Sequence, residues 1–462
     1  MAASYSRNPL LRRTGTYPFQ RLTEARDLAA RLGEEDRAAA DTAGSNGEAA
    51  RSNGDAAPVV GGPPAAPASS RLIDLGAGEP REPTPKLIRR AMVAAIEEET
   101  VSAYPMSVGL PELRAAVADW IGRRYAVALD PDRHVLPTLG SKELVFTLAQ
   151  VLVDVAGGRD LVGVPQPAYP VYERGARFAG GEVLDLPLHA DRGFLPDLDA
   201  ISDADWSRLA LIWVNYPNNP TAAVASREWY RGAVARCREH GVVLASDEAY
   251  SELWFTGDAP DSALQIGAGG DDLEGVLVVN TLSKRSSMPG YRSGFVAGDA
   301  ELIAALKAFR PSVGVAPQRF VQKAAVAAWQ DEGHVVEVRD RYRHKLALLQ
   351  PGLDALGLVD AGGPASFFRW LAVPGDWASA PWASRALADP RTAELVSILT
   401  DGDPDDRGSA AYAAALLRAG IVVAPGAFFG PAGEGYVRAA LVPTAEDCAE
   451  AARRLVALTS DD

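Results

Sequence analysis

Five short apolar runs recur through the middle of the chain, and they restrict its fold more than any other feature. They are Leu161–Val164, Leu209–Val214, Val242–Ala245, Val276–Val279 and Gly294–Ala297. Each is strand-length, and most are separated by amphipathic stretches such as Trp229–His240. A strand apolar on both sides must be covered on both faces, and strands alternating with helices pair in parallel through crossovers. The expected fold class is therefore α/β, with a large domain built on a mostly parallel central sheet. A helical stretch with Phe320, Ala324, Ala327 and Ala328 on one face opens a second, smaller C-terminal α/β domain, which closes on a strand–helix pattern over 436–458. The expected divisions are an N-terminal arm over 1–38, a flexible linker over 39–70, a large domain over 71–315 and a small domain over 316–462. Within the small domain, 374–408 reads as an insertion. The linker assignment rests on composition: Ala, Gly, Ser, Pro and Asn bury too little to offset ordering.

Charge and residue usage exclude several classes of function. The 462 residues carry 46 basic and 60 acidic side chains, a net of −14. That balance argues against a general nucleic-acid binder, which needs basic surface to neutralise phosphates, and against a basic membrane-surface protein. No apolar run reaches the ~18 residues that cross a bilayer. The segment MAASYSRNPLLRRTG lacks the apolar stretch of a secretory signal, and although its Arg and Ser also fit an organelle transit peptide, a cytoplasmic location is the expectation. Two cysteines, Cys237 and Cys448, are too few for a disulfide framework or a Cys-rich zinc site, and no His-x-x-x-His spacing suggests a metal. Only six of the basic residues are lysines: Lys86, Lys142, Lys284, Lys307, Lys323 and Lys345. Amine chemistry has only these six candidates.

Four polar segments follow the apolar runs or precede helices. After Val276–Val279 comes Asn-Thr281-Leu-Ser283-Lys284, then Gly-Tyr-Arg292-Ser-Gly294. A lysine just past a buried strand is partly desolvated and loses its proton easily, which suits a Schiff-base amine. Thr281, Ser283 and the fork of Arg292 suit a phosphate. Ser246-Asp247-Glu-Ala-Tyr250 ends another strand, where open α/β sheets bind ligands. Asn215-Tyr-Pro-Asn-Asn219-Pro220-Thr221 makes a rigid turn after a third, and Gly140-Ser141-Lys142 opens a helix whose backbone N–H groups suit an anion. Taken singly, each also reads as ordinary structure: a surface lysine, a helix cap, a strand-to-helix turn, an N-cap.

As a set, and in this order, the four segments resemble the fold-type-I aminotransferases, which use pyridoxal 5′-phosphate. The resemblance covers about residues 71–462 and implies roles residue by residue. Lys284 matches the lysine that bonds the cofactor and moves the substrate proton. Asp247 matches the partner of the pyridine nitrogen, and Tyr250 and Asn219 those of the ring oxygen. Gly140, Ser141, Lys142, Thr281, Ser283 and Arg292 match the phosphate cradle, the first three acting chiefly through backbone N–H groups. Tyr169 matches the ring that stacks on the cofactor. Tyr104 matches a tyrosine that reaches the neighbouring subunit's phosphate, which implies a homodimer. Gly78 matches the glycine beside the substrate, and Arg438 the arginine on its α-carboxylate. One departure is Ala222, where the family has glycine after Asn-Pro-Thr.

The implied activity is ping-pong transamination between an L-amino acid and a 2-oxo acid. Tyr17-Pro-Phe19, residues 140–143, 283–292 and 424–430 further resemble actinobacterial succinyldiaminopimelate aminotransferases, with glutamate and 2-oxoglutarate as the partner pair. Another reaction on the same scaffold (a lyase, decarboxylase or oxidase) would keep the same cofactor residues. Arg285, Arg369 and Trp370 are candidates to meet the substrate side chain.

Overall fold

The computed structural model describes residues 8–13, 15–51, 71–266, 272–402 and 407–460. A two-residue strand, β1 (Ile73–Asp74), precedes seven strands that form the main sheet. These are β2 (Val135–Thr138), β3 (Leu161–Gln166), β4 (Glu182–Pro187), β5 (Leu209–Asn215), β6 (Val243–Asp247), β7 (Val276–Thr281) and β8 (Gly294–Gly298). Their spatial order is β2-β8-β7-β6-β5-β3-β4, with β8 antiparallel to both neighbours and the other pairs parallel. All five apolar runs are strands of this sheet. Every residue of β5 and β7 is buried, which is why both read as unbroken apolar runs. The two strands without such a signal, β2 and β4, are at the edges. β4 is largely uncovered, and β2 carries Pro137, tolerated where one side needs no ladder donor.

The C-terminal region adds β9 (Val359–Asp360), β10 (Phe368–Ala372), β11 (Ile421–Val422), β12 (Ala424–Pro425) and β13 (Tyr436–Ala440). Four of them make an antiparallel sheet in the order β12-β13-β10-β9. The long helix Gly333–Ala355 packs along the last helix, Ala445–Ser460. Cys237 and Cys448 are both free and buried.

Two differences from the sequence reading concern organisation. One helix runs from Pro18 to Arg51, through the expected boundary between arm and linker at 38/39. Its second half is rich in alanine, the strongest helix former, so a lack of large apolar residues does not stop it. The rest of the expected linker, 52–70, lies outside the described residues. Next, β1 pairs in parallel with β11, Ile73 opposite Ile421, so the start of the expected large domain is bonded to the C-terminal region. The expected insertion, 374–408, contains two helices, Pro381–Ala388 and Pro390–Thr400, with Trp382, Leu395 and Leu399 buried.

Ala222 holds a left-handed backbone at φ +59°. That conformation costs an L side chain roughly 1–2 kcal/mol, part of which glycine returns as unfolded-chain entropy. Ala222→Gly should therefore stabilise the protein by up to about 1 kcal/mol, read as a higher thermal midpoint.

Candidate active site

The parallel register brings the carboxyl ends of β5, β6 and β7 side by side. Asn215 sits opposite Asp247, and Asp247 opposite Val279. The chain leaves each strand there into a polar turn, and the turns surround a cavity of about 670 Å³. Ser141, Lys142, Tyr169, Asn219, Asp247, Tyr250, Thr281, Ser283, Lys284, Arg292, Gly78 and Arg438 all line it. Of the expected residues, two do not. Gly140 lies just behind the wall. Tyr104 is 99% exposed and takes no part in the site of a single chain.

Asp247 is buried and makes no ion pair among the described residues. Its carboxylate accepts from Tyr172 Oη at 2.9 Å and from the Ala249 N–H at 3.2 Å. Burial pushes its pKa up to about 6, although both hydrogen bonds oppose the rise. Asn215 braces the turn: its Nδ2 donates to the Asp247 carbonyl, and its Oδ1 accepts from the Asn219 N–H, both at 2.7 Å.

Lys284 lies in the short helix Leu282–Arg285, capped by the Thr281 hydroxyl. Its Nζ donates to the Gly78 carbonyl at 2.6 Å. Loss of solvent, with Arg438 and Arg292 nearby, lowers its pKa to about 8, against the opposing pull of Glu79 and Asp247. Arg438, on β13, is buried over the faces of Phe368 and Phe429, at 4.0 and 4.8 Å from the ring centroids. It donates to Asn219 Oδ1 at 2.9 Å and to the Gly76 carbonyl at 2.7 Å, and its Nε has no partner. Burial brings its pKa down to about 10. Added bulk at Gly78 would meet Phe368 at 3.2 Å and Arg438 at 3.6 Å, so glycine keeps the approach to Arg438 open.

Across the cavity, Thr281, Ser283, Ser141, Lys142 and Arg292 gather hydroxyls and cations. Arg292 is held by the carbonyls of Pro289 and Leu139, at 2.8 and 3.0 Å. Gly140 must be glycine: its φ is +71°, and a Cβ there would lie 2.6 Å from Arg292 Nη2. Lys142 contributes more than its backbone. Its Nζ enters the cavity 5.1 Å from the Tyr17 ring centroid, and burial, with Arg292 and Arg174, lowers its pKa.

An unpaired buried charge is costly, so such groups mark places where a ligand supplies the partner. Among the described residues Asp247 pairs with no cation and Arg438 with no anion, and the hydroxyl-and-cation cluster suits a dianion. These groups suit pyridoxal phosphate: Asp247 would face its ring nitrogen, and Ser141, Lys142, Thr281, Ser283 and Arg292 would hold its phosphate. An amino-acid carboxylate fits Arg438.

Sequence reasoning missed part of the wall. Tyr172, one helical turn after Tyr169, is the side chain that bonds Asp247. Tyr17, Phe19, Leu22, Thr23 and Arg26, from the expected arm, line the cavity, as does Phe368. The three candidates for the substrate side chain lie elsewhere. Arg285 pairs with Glu332 at 2.7 Å, Arg369 pairs with Asp360 at 2.9 Å, and Trp370 is buried against Tyr436. On β10 successive side chains alternate in direction, so Arg369 faces away from the side on which Phe368 meets the cavity.

Comparison with known proteins places the chain among the aminotransferases. A family model described as aminotransferase class I and II matches residues 70–455. An LL-diaminopimelate aminotransferase of Aquifex aeolicus is 37% identical over 385 residues, which cover 83% of this chain and 90% of the relative. A solved aminotransferase from Neisseria meningitidis superposes with a TM-score of 0.72 at 37% identity, covering 84% of this chain and 92% of the other. A probable N-succinyldiaminopimelate aminotransferase from Thermus thermophilus gives 0.70 at 29% identity, covering 84% and 95%.

Proposed function

The chain belongs to the class I and II aminotransferases, pyridoxal phosphate-dependent transaminases, and on that premise we propose that it exchanges amino groups between LL-diaminopimelate and a 2-oxo acid, with glutamate and 2-oxoglutarate as the paired couple. The observation that carries the substrate is a second pair of charged side chains in the same cavity wall as Arg438. Arg26, beside Asp74 at 3.3 Å, supplies a cation, and Glu79 supplies an exposed carboxylate. LL-diaminopimelate ends in a second ammonium and a second carboxylate, which that pair matches. The Aquifex relative carries the same activity in its name.

Bound pyridoxal phosphate supplies an electron-accepting ring that stabilises the charge left when the substrate Cα–H bond breaks. Asp247 keeps a proton on the ring nitrogen, because a buried carboxylate gains most by facing a cation. Arg438 grips the α-carboxylate as a planar fork and so fixes which Cα bond is presented. Lys284 Nζ would take the proton from Cα and pass it to the cofactor carbon that bears the substrate nitrogen, which a pKa near 8 permits close to neutrality. Phe368 and Phe19 exclude water around Arg438. We further propose that Tyr104 of a second copy completes the phosphate cradle, which its full exposure in one chain allows.

The test compares donors on the pyridoxal phosphate-loaded enzyme: LL-diaminopimelate, N-succinyl-LL-diaminopimelate, glutamate and lysine. The expected kcat/KM for LL-diaminopimelate exceeds that for lysine, which lacks the distal carboxylate, by roughly 100-fold or more. A preference for the N-succinyl donor, whose distal nitrogen is uncharged, would overturn the substrate reading and leave the transaminase intact.

A further inference from the structure

The cavity wall formed by Tyr17, Phe19, Leu22, Thr23 and Arg26 belongs to the start of the N-terminal helix and the residue before it. Those side chains keep their places only if the helix stays docked. No described residue of 374–408 lines the cavity, yet this segment holds the helix just ahead of its start and again near its middle. At the front, Asp401 Oδ2 accepts from the Thr16 N–H at 3.2 Å, one residue ahead of Tyr17. Midway along the helix, Asp36 accepts from Arg391 and from Arg418, the latter at 3.0 Å. Asp389 closes the cluster, bonded to Arg391 at 2.8 Å and to Arg418 at 3.1 Å.

The helix Pro390–Thr400 thus runs antiparallel to the N-terminal helix and packs on it, with its first turn at Asp36 and its end at Thr16. Ala25 and Ala29 from one helix and Leu395 and Leu399 from the other belong to the same apolar core. The cluster holds two carboxylates and two guanidiniums, so it is neutral and internally satisfied. A network of this kind fixes geometry better than an isolated surface pair. None of the four side chains touches the cavity.

We propose that Asp36, Asp389, Arg391 and Arg418, with the helix Pro390–Thr400, form a clamp that positions the N-terminal helix as a wall of the substrate site and so sets affinity for the amino-acid side chain. These are positioning residues. The inference rests on reading the cavity as the amino-acid site, but not on which amino acid is used. If the clamp is released, only a fraction of molecules hold the wall in place, and the apparent affinity falls by that fraction. The chemistry at Lys284 is untouched once substrate is bound.

The experiment uses the full-length, pyridoxal phosphate-loaded enzyme and the Asp36→Ala, Arg391→Ala and Asp36→Glu variants. Three quantities are read: KM and kcat with whichever donor turns over best, tryptic cleavage after Arg26 or Arg31, and visible cofactor absorption. Both alanine variants should raise KM roughly 5- to 10-fold with kcat within about twofold. They should be cleaved faster at those arginines, with cofactor absorption unchanged, and Asp36→Glu should restore most of both effects. Unchanged KM would overturn the clamp, whether or not cleavage accelerates. So would a joint fall of kcat and cofactor absorption, which signals general loss of structure. Failure of the diaminopimelate reading appears instead in the wild-type donor profile and leaves the cleavage comparison standing.

Discussion

Replacing Lys284 by alanine should remove transamination almost completely while leaving the fold in place. The side chain contributes one hydrogen bond, to the Gly78 carbonyl, and its charge is unpaired among the described residues, so little stability depends on it. On the proposed reading, its loss removes the group that bonds the cofactor and the base that moves the Cα proton. A positioned general base alone is worth about 10²–10⁴ in rate, and the covalent role adds to that. The expected result is a fall in kcat of about 10⁴ or more, with loss of the visible absorption of lysine-bound cofactor. Retention of that absorption would show that another amine holds the cofactor. The lowered pKa adds a pH signature. Capture of the cofactor requires the neutral amine, so uptake of pyridoxal phosphate by the wild-type apoprotein should accelerate as pH rises and level off above about 8. A midpoint near 10, roughly the ordinary lysine range, would contradict the desolvated setting.

The second large effect is expected at Arg438. The guanidinium is buried among Phe19, Phe368 and Phe429 with no carboxylate partner, an arrangement that favours function over stability. Arg438→Ala leaves the substrate carboxylate without its fork, and losses of this kind run to about 2–5 kcal/mol. That corresponds to roughly 30- to 5,000-fold in kcat/KM for any amino-acid donor. Arg438→Lys should recover little, because an ammonium cannot form two parallel bonds to one carboxylate. The thermal midpoint should move by no more than a few degrees, since removing an uncompensated buried charge offsets the two lost hydrogen bonds. A midpoint drop of roughly 10 °C or more, with KM unchanged, would identify Arg438 as structural instead.

Much of this site is legible in the sequence because its parts are local. A strand buried on both faces leaves a continuous apolar run, and the polar turn after it carries the chemistry. The order of residues alone therefore locates Asp247 at the end of β6, Thr281 to Lys284 where β7 ends and Asn219 after β5. What the order of residues does not reveal depends on docking. The face of the N-terminal helix is visible as periodicity at Leu22, Ala25 and Ala29, but periodicity does not say what it covers. Hence the arm reads as separate from the site it walls. Tyr172 is hidden for a related reason: two tyrosines three residues apart are equivalent in sequence, and the start of the Val171–Phe178 helix decides which one meets Asp247. Arg285 and Arg369 read as available for substrate, and only their pairing with Glu332 and Asp360 removes them. In 374–408, reading the segment as an insertion says nothing of Trp382, Leu395 and Leu399, whose burial makes it a support for the helix beside it.

The most direct measurement is a single half-reaction. The pyridoxal phosphate-loaded enzyme is mixed with excess LL-diaminopimelate and no 2-oxo acid. Transamination predicts one equivalent of oxo product per active site, cofactor recovered as pyridoxamine phosphate, and no further turnover until 2-oxoglutarate is added. Continued release of ammonia or carbon dioxide, with the cofactor still in its aldehyde form, would contradict the account.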